Sequence, residues 1–165
     1  MNYSSLREFF YKLYNICLFM MFVPVAAFLL VYYLVLTGKI GTIIQSQEII
    51  QYTLIGFPIL AALDLTIVNL VVKKRFSLLS KELSLGIRLE KYFAIGIIRI
   101  SAVVATSMFM AAGLYLTGHE YFTLYFLVLL IWLYFQWPTP ERVSKDLKLR
   151  GDEEKIVLTK GEAFK

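Results

Sequence analysis

Residues 52–106, YTLIGFPILAALDLTIVNLVVKKRFSLLSKELSLGIRLEKYFAIGIIRISAVVAT, decide how this chain is laid out. They read as an apolar span, a basic turn and a second apolar span. Each span carries a charge that hydrocarbon disfavours: Asp64 in the first and Arg99 in the second. At about 1.5 Å per helical residue, Asp64 lies about 12 Å from the Lys73-Lys74-Arg75 end of its span, and Arg99 about 10 Å inside the next. Two antiparallel helices joined by that turn put acid and base at matching depth.

An ion left alone in a bilayer costs at least about 2.5–3.5 kcal/mol on insertion scales, so each charge is expected to find a partner or water. The preferred expectation is a structural salt bridge between Asp64 and Arg99 that holds the two helices in register. A second reading is a polar pathway in which Asp64 takes a proton or cation, with Thr66 and Asn69 nearby and Arg99 tuning its protonation. In a third, Arg99 snorkels to the surface and leaves Asp64 uncoupled.

Working outward, the chain on the amino side offers another span. Ser5 followed by Glu8 has capping-box spacing and predicts a helix start. From Leu13 to Gly38 there are 26 residues without a charge, where about 20 suffice to cross the hydrocarbon core, so a span is expected over about 13–37. Pro24 predicts a kink within it. This apolar run is too long for a signal-peptide core and is expected to stay as a signal anchor. The connection 37–51 is turn-rich and polar. The second span then runs over about 52–72.

Residues 76–91 fit helix and strand periods in different parts, and an amphipathic helix lying on the membrane is preferred. A third span is expected over about 92–116, with small residues such as Ala102, Ala105 and Thr106 allowing close helix approach. The short turn Thr117-Gly118-His119-Glu120 makes its successor, about 121–137, an antiparallel neighbour. The tripeptide Leu-Thr-Gly occurs at 36–38 and again at 116–118, by duplication of a hairpin or by chance. In the tail, 138–165, Thr139 as cap, Pro140 at the first helical position and Glu141 predict a helix over about 140–150 that stops at Gly151. Its thin apolar edge, Val143 and Leu147, suits the interface. Beyond Gly151 a short strand against a partner and a loose tail are both open.

Composition agrees with this layout. The chain is 59% hydrophobic and 18% charged, against about 45–50% and about 25% in soluble domains. Segments 1–12, 73–91 and 138–165 hold 15 of the 17 Lys and Arg residues. By the positive-inside rule these segments, and with them both termini, are expected to be cytoplasmic. The same placement argues against nucleic acid, because the tail's seven basic residues are nearly cancelled by six acids. Lys73, Lys74, Arg75, Arg142, Lys145 and Lys148 are instead expected to meet anionic lipid headgroups or a partner.

Chemical signatures are few. The only histidine, His119, sits beside Glu120 in an outer turn and reads as a solvated pair, or as a metal or headgroup contact completed by an oligomer. A lone histidine and a lone cysteine, Cys17, supply no metal set and no disulfide. There is no HExxH motif, glycine-rich phosphate loop or nucleophile elbow, so neither catalysis nor a cofactor is expected. The expectation is an all-α, multi-pass membrane protein: a four-helix bundle with amphipathic cytoplasmic segments, in a homo-oligomer or larger membrane complex. Its role is expected to be that of a non-catalytic subunit or scaffold with a cytoplasmic docking loop and tail. The alternative is a small oligomeric transporter or channel lined by Asp64 and Arg99.

Overall fold

A computed structural model describes residues 5–80, 82 and 84–161, and every regular element among them is a helix. The elements are α1 (Leu6–Leu36), α2 (Gln47–Leu79), α3 (Leu85–Thr117), α4 (Tyr121–Gln136), α5 (Pro140–Leu147) and α6 (Asp152–Leu158). The first three are long and apolar enough to cross a bilayer. Helix α4 has 16 residues, about 24 Å, and qualifies only together with α5 across a bend of 72°.

Local signals place the helix ends. Ser5 Oγ accepts the Glu8 N–H at 3.2 Å, one half of the expected capping box. Thr139 Oγ1 accepts the Arg142 N–H at 3.2 Å, and Pro140 opens α5 as expected. Both Leu-Thr-Gly repeats end a helix with a left-handed glycine, at φ 65° for Gly38 and 64° for Gly118. At Gly118 a side chain has no room, since a Cβ there would lie 2.5 Å from Thr42 Cγ2.

The helices outrun the apolar runs. Helix α2 passes through Lys73-Lys74-Arg75 and continues to Leu79, because Val72, Phe76 and Leu79 carry a buried stripe at helical spacing beyond the basic residues. The separate surface helix expected over 76–91 does not form. That segment is the end of α2, a short connection and the start of α3. Leu83, part of the strand-like alternation, lies outside the described residues. The tail also departs from expectation. Val143 and Leu147 are fully buried rather than resting at an interface. Helix α5 stops at Leu147, where Lys148 adopts φ 52°, and Gly151 at φ 63° leads into α6 rather than into a strand or a loose end.

The chain forms two compact units. The first comprises Met1–Leu18, Val68–Ile100 and Gln136–Lys165. Phe76 stacks on Tyr92 at 4.8 Å within it, and α5 packs against α6. Phe9, Phe10, Leu13 and Cys17 are buried on α1, so the cysteine is a packing residue. The second unit comprises Phe19–Ile67 and Ser101–Phe135. Its core is Phe28, Met110, Ala111, Leu114, Phe122, Phe126 and Leu129. Phe28 and Phe126 stack at 4.0 Å. Phe122 occupies the space a side chain would take at Gly113, where a Cβ would fall 2.2 Å from its ring. In their most apolar stretches α1 and α2 are only 11% and 6% buried, against 44% for α3, so α3 carries the packing and the other two turn apolar flanks outward.

Candidate functional site

The two charges singled out in the sequence fall in different units, and each has a partner within its own. Arg99 lies in the first unit with its side chain 6% exposed. Its Nη1 donates to Asp146 Oδ2 at 3.0 Å, and its Nη2 to the Gln136 carbonyl at 3.2 Å and to Tyr92 Oη at 3.4 Å. Tyr92 Oη in turn donates to Asp146 Oδ2 at 3.2 Å. The guanidinium also lies over the Phe76 ring, 5.5 Å from its centre. Gln136 is the last residue of α4, so Arg99 satisfies one of the carbonyls left open at a helix end, where a cation is favourable.

Arg142 joins this cluster. It donates to Gln136 Oε1 at 3.0 Å and approaches Asp146 at 3.9 Å. Burial, reinforced by the nearby Arg99 charge, lowers its pKa from the usual arginine value, with Asp146 and Tyr92 opposing. A second pair, Arg88 with Glu153 at 2.5 Å, ties α6 to the start of α3. One carboxylate holds two guanidiniums and a phenol.

Asp64 belongs to the second unit and is exposed on α2. Its Oδ2 meets Thr106 Oγ1 at 3.0 Å. The Thr106 hydroxyl also reaches the Ala102 carbonyl at 2.8 Å, so its single hydrogen serves two acceptors. Arg99 and Thr106 are seven residues apart on α3, about 10 Å along the helix.

Asp64 lines a groove of about 340 Å³ with Phe57, Leu60, Ala61, Thr106 and Phe109. The basic residues of its own unit are Lys39 and His119. Lys39 lies over the Tyr33 ring, and His119 stacks on Tyr121 at 4.9 Å.

The remaining expected residues are placed as follows. Thr66 turns its hydroxyl onto the Ala62 carbonyl at 2.6 Å, a bond within its own helix. Asn69 falls in the first unit and Asp64 in the second. Glu120 borders a hollow with Tyr32, Tyr121, Thr123 and Leu124. No group of three or more His, Cys, Asp or Glu residues suited to a metal occurs among the described residues. Lys73, Lys74, Arg75, Lys145 and Lys148 are exposed.

Asp146, Tyr92, Gln136 and Thr106 are the site residues that sequence reasoning missed. For Asp146 a signal existed, since it follows Arg142 by four residues on a helix whose apolar edge is Val143 and Leu147. Thr106 had none beyond its place among small residues. In comparison with known proteins, the chain matches no family model, no curated sequence and no solved structure.

Proposed function

We propose that this chain is a four-span integral membrane protein with cytoplasmic termini, acting as a non-catalytic subunit or scaffold. Three long apolar helices, a fourth of about 24 Å and the segregation of 15 of the 17 Lys and Arg residues support the layout. The observation that carries the role is the contrast between tail and loop. The tail is engaged within its own fold through Asp146 and Glu153, so it is not a free docking arm. Lys73, Lys74 and Arg75 stay exposed at consecutive positions of α2, in a helix that continues beneath them. A basic helical turn of this kind suits an acidic surface on a partner, with anionic headgroups as competitor. The transport alternative has less support, because Arg99 is already taken up by Asp146.

Purification from native membranes in mild detergent tests the role. A stoichiometric partner is expected with the wild-type chain and is expected to be lost when Lys73, Lys74 and Arg75 are all changed to Glu in a protein that remains monodisperse. A wild-type chain that purifies alone would overturn the reading, as would a complex indifferent to the charge reversal.

A further inference from the structure

We propose that the Asp64 groove is a binding site for a lipophilic organic cation, an ammonium or phosphonium centre carried on an apolar body. The proposal is independent of the subunit role.

Three features of the groove set this chemistry. The first is an acid with no ion-pair partner among the described residues of its unit. Asp64 offers a carboxylate with about four acceptor positions, and the Thr106 hydroxyl supplies it with a hydrogen shared with the Ala102 carbonyl. Within this unit the cationic side chain is Lys39, held over Tyr33. The second is the wall. Phe57, Leu60, Ala61 and Phe109 line the groove beside the carboxylate, and aromatic rings in such a wall favour a cation over a neutral group.

The third feature is size and access. A volume of about 340 Å³ falls at the lower end of the small-molecule range, near 300–1,000 Å³, and far exceeds what a bare ion needs. Asp64, Leu60 and Phe109 are exposed, so the groove is open at the surface of the unit. A ligand reaching it from a bilayer would arrive from the acyl phase. Water-stripped metal cations fit poorly, because calcium-like ions take six to eight oxygens and this groove offers one carboxylate and one hydroxyl.

Binding of radiolabelled tetraphenylphosphonium to the purified full-length protein in detergent tests the site. Tetraphenylborate, of similar shape and opposite charge, serves as the control. Saturable binding of the cation is expected for wild type, weakened at least about tenfold by Asp64→Asn and largely kept by Asp64→Glu. Asn retains an oxygen for Thr106, so the variant is expected to fold. Ala61→Phe is a second variant that leaves the carboxylate in place and fills the groove, and it is expected to lose binding too. The proposal is overturned if wild type shows no saturable uptake, if folded Asp64→Asn binds as wild type does, or if tetraphenylborate binds equally well.

Discussion

Arg99 on α3 and Asp146 on α5 meet at 3.0 Å although 47 residues separate them in the chain. The contact is largely shielded, with the arginine side chain 6% and the aspartate 21% exposed. It gives α5 a fixed seat and satisfies the carboxyl end of α4 through Gln136. A tail that reads as an appendage thereby becomes part of the first unit's core.

Removing one partner of this pair strands a buried charge. Asp146→Ala is expected to lower stability by about 3–5 kcal/mol, and combining it with Arg99→Met is expected to recover most of the loss. Denaturant unfolding in detergent, followed by tryptophan fluorescence, measures both. An Asp146→Ala protein as stable as wild type would mean that the contact does not hold α5 in place.

The second unit depends on a glycine. A Cβ at Gly113 would lie 2.2 Å from the Phe122 ring, closer than packing allows. Gly113→Ala is expected to cost about 1–3 kcal/mol through overpacking, and Phe122→Leu in the same chain to restore part of it. Thermal unfolding compares the three proteins. A Gly113→Ala chain that melts with wild type would refute the close approach of α3 and α4.

Orientation can be read by labelling in a Cys17→Ser background. An impermeant maleimide is expected to reach Lys39→Cys on intact cells, and Lys74→Cys or Lys148→Cys only after permeabilisation. Lys39→Cys and Lys148→Cys labelled from the same side would overturn the four-span layout.

What the sequence determined by itself is local. The apolar runs act along a single helix, and the caps at Ser5 and Thr139 act within one helical turn, through hydrogen bonds and water exclusion along the chain. The tertiary structure alone decided which charges meet. A helix shows its neighbour a different side chain with each 100° of rotation and each 1.5 Å of slide, so contacts follow packing such as Phe122 on Gly113 rather than distance from a turn. Arg99 met an acid on α5 and Asp64 a hydroxyl on α3, partners that no count along the chain names.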